Sequence, residues 1–279
     1  AKSMLFLRNY AMERFLERLS ASKYRNCFIL KGGMLISAMV GIDSRATMDI
    51  DTTLRNYPLN CESAEQIVRQ IADVEIDDKI SFVIKKTEEI MEDSEYQGVR
   101  LSLDAYLDKT RIPLKIDIST GDVITPCEIS FSYQLMFENR TIPLLAYPPE
   151  TVLAEKLETI LSRGEANTRL RDFYDVYILQ REDFVVTPDA LCHALLATCR
   201  KRGHEDLLHT YASILDRVRQ SDTMRTQWMK YQSDFDYAAG ITWDTVLDTV
   251  ETLCMKTLDD HAFGDELPQE ESQFEMHLL

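Results

Sequence analysis

The sequence predicts an α+β fold in two parts, a mixed β-sheet with helices followed by an all-helical segment. Three observations predict it. Runs with the two-residue alternation of strands fall between residues 27 and 147. From Pro148-Pro149 onward only the three-to-four-residue apolar spacing of helices recurs. The chain is also long enough, at 279 residues with 45% hydrophobic, to give both parts a core. The expected division is residues 1–148, then 149–258, then an acidic tail over 259–279 that holds no Lys or Arg.

Taken in order, residues 3–20 place apolar side chains at helical spacing among charges, which predicts an amphipathic helix and not a leader peptide. Cys27–Leu30 is a short apolar run entering Lys31-Gly32-Gly33, and Met34–Val40 reads as the helix leaving that turn. Thr47–Leu54 alternates as a strand, and Asn60 opens a helix over 63–72. Three strand-like runs follow at 79–91, 98–107 and 111–120, then a hairpin from 129–137 and 141–147 around Glu138-Asn139-Arg140. Pro149 suits the first turn of a helix that continues through 152–162. Further helices are predicted over 170–180, 188–202, 206–219, 223–238 and 243–258.

Composition narrows the function classes. No window approaches eighteen uninterrupted apolar residues, so a membrane-spanning helix is not expected. Six cysteines form no CxxC pair and no zinc spacing, which predicts small buried hydrophobes in a reducing, cytoplasmic setting. A net charge of −16 argues against a generally basic nucleic-acid clamp, though an RNA substrate fits if Lys and Arg gather around one cleft. His193, His204 and His209 lack metal spacing, and Trp228, Tyr231, Tyr237 and Trp243 read as core.

The chemistry concentrates in Lys31-Gly32-Gly33-Met34 and Arg45-Ala46-Thr47-Met48-Asp49-Ile50-Asp51. On a strand Asp49 and Asp51 share a face while Ile50 and Thr52 point away. Two such carboxylates repel unless a cation lies between them, and Mg²⁺ prefers oxygen ligands and bridges to phosphates. The glycines allow close backbone approach to a phosphate at a helix start. In Leu114-Lys115-Ile116-Asp117-Ile118-Ser119 the polar residues share the other face, so a strand paired beside the first brings Asp117 to the pair. Three converging carboxylates can hold two metal ions. Lys156 and Arg163, seven apart, share a helical face, as do Asp172 and Asp175; pairing of Lys156 with Glu155 or Glu158, and of Asp172 with Arg169 or Arg171, is the alternative.

Taken together, these motifs resemble the polymerase-β-type nucleotidyltransferase superfamily. The order GGM, RATMDID, LKIDI, ETVLAEKLETILSR and RLRDFYDVYIL over residues 31–180 is similar to the AbiEii/AbiGii-type toxins of type IV toxin–antitoxin and phage-defence (abortive-infection) systems, with MenT-like members. The resemblance implies a bilobed nucleotidyltransferase that moves a nucleotide from an NTP to an acceptor hydroxyl, with Mg²⁺ (or Mn²⁺) as cofactor and release of pyrophosphate. It implies a tRNA 3′ end or other RNA as acceptor and a cognate antitoxin as partner. Asp49, Asp51 and Asp117 are the implied metal ligands and, with Lys156 and Asp172, the implied catalytic set. Lys31, Gly32, Gly33, Arg45, Thr47, Lys115 and Arg163 form the implied substrate-binding set; Asp175 reads as structural. Thr47 stands where many members carry Ser, and the stretch from Gly33 to Asp49 is longer than in many members. The rival readings are a small-molecule (antibiotic) nucleotidyltransferase and a catalytically silent nucleotide-binding partner protein.

Overall fold

The computed structural model describes residues 2–91, 97–181 and 186–259. The acidic tail expected from residue 259 lies outside these from residue 260 onward. Among the described residues one seven-stranded sheet carries every strand, in the order β3-β4-β5-β2-β1-β7-β6. Its strands are β1 Phe28–Lys31, β2 Asp49–Leu54, β3 Ile80–Met91, β4 Gln97–Leu107, β5 Thr110–Ser119, β6 Ile129–Gln134 and β7 Thr141–Ala146. The β1–β7 and β2–β5 pairs are parallel and the others antiparallel, so the sheet is mixed as expected.

Helices α1 (Lys2–Ala21) and α3 (Cys61–Ala72) pack on the sheet around β3, β4 and β5. Ile50, Leu114, Ile116 and Ile118 are all at most 2% exposed, because the alternation of β2 and β5 turns one side chain in two into this core. Helix α3 starts where Asn60 closes a capping box: its side chain accepts from Ser63 N at 2.8 Å, and Ser63 Oγ accepts from Asn60 N at 3.1 Å. Helix α2 (Gly32–Val40) begins two residues before the predicted start, since Gly32 adopts φ +63 and turns the chain directly out of β1.

After β7 the described chain is helical: α4 (Pro149–Arg163), α5 (Leu170–Arg181), α6 (Pro188–Arg202), α7 (Leu207–Gln220), α8 (Asp222–Asp234) and α9 (Trp243–Leu258). Pro149 takes the N1 position of α4 as read from the sequence. Helix α8 ends four residues before the expected Ala238, because Phe235 turns to extended backbone and a short 3₁₀ turn follows over Asp236–Ala238. Trp228 and Trp243 are 1% and 4% exposed, so these aromatics are core. Cys192, Cys199 and Cys254 are buried as expected, whereas Cys127 is exposed. No helix among the described residues is long and apolar enough to cross a membrane.

Candidate active site

Register decides which side chains meet on the face of the sheet opposite α1. Lys31 of β1 is paired with Asp51 of β2, Asp51 with Asp117 of β5, and Asp117 with Arg100 of β4. Residues directly opposite in neighbouring strands project on the same side. The four therefore form one row across the sheet, in which two carboxylates stand between two cations. Asp49 lies one step along β2 on the same face, opposite Lys115.

The two turns that enter this row are built around close approach. Gly33 N donates to Asp51 Oδ2 at 3.3 Å. A Cβ at Gly32 would overlap the Asp51 carboxylate, and one at Gly33 would lie 2.6 Å from Thr47 Oγ1. The glycine pair is thus required by its nearness to Asp51 and Thr47, whatever else reaches the turn. Thr47 precedes β2, which starts at Asp49 and not at Thr47.

Charge is distributed unevenly over the row. Burial pushes the Asp51 carboxyl up to about 6, and Asp117 and Asp49 add to this against the pull of Lys31 and the Gly33 N–H. Burial also raises Asp49, with Asp117 acting in the same sense and Lys115 and Arg100 opposing. Both side chains stay half-buried, open to the cavity above them. Asp117 is only 7% exposed, and Arg100 grips it with two bonds, Nε to Oδ1 at 2.8 Å and Nη2 to Oδ2 at 2.6 Å. Lys31 Nζ donates to Asp122 Oδ2 at 3.0 Å. Thr53 and Ser119 donate to the same oxygen, and Tyr147 stacks its hydroxyl behind Thr53 at 2.8 Å. Burial opposes ionisation of Asp122, but Lys31 and these hydroxyls outweigh it and hold the carboxyl below its usual range.

The opposite wall comes from α4 and α5. Lys156 Nζ lies 2.6 Å from Asp172 Oδ1 and 2.9 Å from Asp175 Oδ2. Burial works against its charge, and the two carboxylates prevail, so its pKa rises above the ordinary lysine value. The sequence offered Glu155 or Glu158 as partners; Glu158 instead pairs with Arg202, and with His204 Nδ1 at 2.6 Å. Arg169 Nε reaches Asp172 Oδ2 at 2.8 Å, as one sequence alternative had it. Asp175, fully buried, is also held by Arg45 through Nε to Oδ1 at 2.6 Å and Nη2 to Oδ2 at 3.2 Å. Arg45 and Thr47 belong to the long segment between α2 and β2, which Tyr174 also fastens by donating to Ser44 O at 2.5 Å.

These groups line a single open cavity of about 1250 Å³. Asp49, Asp51, Asp117, Lys156 and Asp172 face it together with Lys31, Gly32, Gly33, Arg45, Thr47 and Arg163. Lys115 does not; it is exposed on the sheet beside Asp49. Sequence reasoning missed Arg100 and Asp122, because neither has a local pattern and only strand register brings them to the row.

Among the described residues no group of three or more His, Cys, Asp or Glu side chains is disposed to hold a metal ion. Asp49 and Asp51 present a hard-oxygen pair of the kind Mg²⁺ takes alongside substrate phosphates. Asp117, the expected third ligand, has both oxygens committed to Arg100.

Comparison with known proteins bears on the family and the fold. A family model described as nucleotidyl transferase AbiEii toxin, type IV TA system, matches residues 14–249. No curated protein matches. Among solved structures, the chain is similar to a candidate nucleotidyltransferase from H. pylori, at TM-score 0.50 and 14% identity over 92% of this chain and 97% of that one. It is also similar to JHP933 from Helicobacter pylori (TM-score 0.49, 14% identity, 92% and 94% covered). An antigenic nucleotidyltransferase-like protein from Paracoccidioides brasiliensis follows at TM-score 0.41, 13% identity and 72% and 91% coverage. At such identities only the first likeness bears on the argument, and it bears on the fold.

Proposed function

The chain belongs to the AbiEii family of nucleotidyl transferase toxins of type IV toxin–antitoxin systems, and on that premise we propose that it transfers a nucleotide from an NTP to an RNA hydroxyl, a tRNA 3′ end being the fitting acceptor, in a Mg²⁺-dependent reaction. The family implies an NTP substrate and a cognate antitoxin. The setting proposed is the cytoplasm, with residues 1–148 and 149–258 as two lobes around the cleft.

The observation that carries the reading is the cavity in which Asp49 and Asp51 face the cations of α4 and α5. Asp49 and Asp51 would hold the ion, which neutralises phosphate charge and favours departure of pyrophosphate. Lys31, Gly32 and Gly33, at the start of α2, lie where an N-terminal helix end and a lysine attract the triphosphate. Lys156, fixed by Asp172 and Asp175, and Arg163 further along α4 supply positive charge from the other side. The acceptor oxygen forms a bond to the α-phosphorus as the bond to the bridging oxygen breaks; the hydroxyl proton leaves to water. Asp172 serves by positioning Lys156, and Arg45 and Thr47 by shaping the turn at Gly33.

An antibiotic acceptor of the aminoglycoside type is the weaker reading. The chain carries a net charge of −16, yet nine Lys and Arg against seven Asp and Glu line the cavity. That local balance attracts a polyanion and repels a cationic drug. The deciding experiment supplies each labelled NTP with Mg²⁺ and total RNA, then an aminoglycoside, and sizes the products on a gel. Labelled RNA is expected, and Asp49→Ala should abolish it while circular dichroism stays unchanged. A fully active Asp49→Ala protein sinks the proposal.

A further inference from the structure

A polymerase-type carboxylate triad is expected to hold two ions, and this row departs from that in a specific way. Asp117 sits beside Asp51 in register and so stands where a third ligand would. Its oxygens are nevertheless both taken by the guanidinium of Arg100, in the fork geometry that makes Arg–carboxylate pairs strong. Arg100 is opposite Asp117 on β4, so strand pairing itself presents the cation to the carboxylate. Asp117 is the sheltered partner, its side chain 9% exposed, while that of Arg100 is 34% exposed along the cavity wall. By contrast, Asp51 accepts the long bond from Gly33 N and feels Lys31 from the neighbouring strand, while Asp49 feels Lys115, Arg100 and Arg171 only through space. Asp117 is thus the carboxylate of the row that a guanidinium grips with two bonds, and Asp49 and Asp51 are the two that no guanidinium of the described residues grips.

Resting on the nucleotidyltransferase reading of this cleft, we propose that the centre takes one divalent cation, on Asp49 and Asp51, and that Arg100 supplies at Asp117 the positive charge a second ion would bring. Arg100 is then a positioning and charge-supplying residue for the reaction, and Asp117 is its anchor. A guanidinium cannot be lost to a chelator and does not deprotonate at any pH of interest. The single positive charge at Asp117 is therefore built in.

The test counts bound Mn²⁺ per chain by electron paramagnetic resonance, in the presence of a saturating, non-hydrolysable NTP analogue. The wild-type protein is expected to bind one ion. Arg100→Gln, checked for folding by urea denaturation, is expected to bind two, and Arg100→Lys, which keeps the charge, one. Asp117→Asn is expected to bind one, since Asp117 is not a ligand. Two ions in the wild-type protein overturn the inference but leave the nucleotidyltransferase reading standing. So does a count of one in a folded Arg100→Gln protein, or the loss of the ion in Asp117→Asn. No Mn²⁺ bound to any variant overturns both.

Discussion

Replacing Lys156 by Met tests whether the family's triphosphate lysine is first a structural residue of this chain. Its ammonium lies 2.6 Å from Asp172 and 2.9 Å from Asp175, whose side chains are 3% and 0% exposed. Removing one partner of a buried ion pair costs about 3–5 kcal/mol, because the charge left behind stays desolvated. Here Asp175 keeps Arg45 and Asp172 keeps Arg169, so the cost falls at the low end, about 3 kcal/mol. The pH dependence follows from the raised pKa of Lys156. A lysine whose folded value exceeds the unfolded 10.5 contributes fully below that pH and loses its contribution only as pH rises through the folded value. The penalty is therefore the same at pH 6 and pH 9. Urea denaturation of Lys156→Met at both pH values measures it, and Lys156→Met/Asp172→Asn should recover part of the loss. A Lys156→Met protein within about 1 kcal/mol of wild type refutes the reasoning. The outcome governs how inactivity is read, since a variant that has lost its cleft says nothing about contact with phosphate.

Glu13 offers a second pH test: burial against the core lifts its carboxyl to about 7 from 4.5, despite the donors Met136 N, Asn9 and Tyr133. The folded chain holds this proton more tightly than the unfolded one, so stability is full below pH 4.5 and falls by about 3 kcal/mol as pH rises to 7; Glu13→Gln should remove that share of the slope in urea titrations, and a wild-type slope contradicts it. Gly32→Ala places a side chain at φ +63 against the Asp51 carboxylate; a loss of about 1–3 kcal/mol and a weaker hold on the NTP analogue are expected in thermal and calorimetric titrations. Arg45→Lys cannot keep both bonds to Asp175 and should cost about 2 kcal/mol or more, measured by urea denaturation.

How much of this was legible in the sequence depends on the range of each interaction. Asp49, Asp51 and Asp117 could be placed on one face because strand alternation is local, and Asn60 could be placed at a helix start because a cap is local. Which strand stands beside which is not local. Arg100 looks like any charged residue of an amphipathic strand until β4 is laid against β5 with Arg100 opposite Asp117. Asp122 likewise sits in the loop after β5, and only the packing of β1, β2 and β5 makes it the counter-charge of Lys31. The partners of Lys156 were searched for on its own helix, where neighbours three and four residues away are the default. They lie instead on α5, because α4 and α5 pack with those faces together.

The long stretch between Gly33 and Asp49 acquires a purpose from the same packing. It carries Arg45 to Asp175, a residue 130 positions later, and Asp175 shares Lys156 with Asp172. The turn at Gly33 and the helices that face it are thus joined by a chain of charges, Arg45, Asp175, Lys156 and Asp172, that is buried up to Asp172 and ends on the half-exposed Arg169. Thermal energy is about 0.6 kcal/mol, well below the several kcal/mol needed to open a buried pair. A movement of the helical segment that keeps these pairs closed therefore pivots about this chain. Preorganisation of this kind lowers the cost of assembling the charges at the moment of transfer.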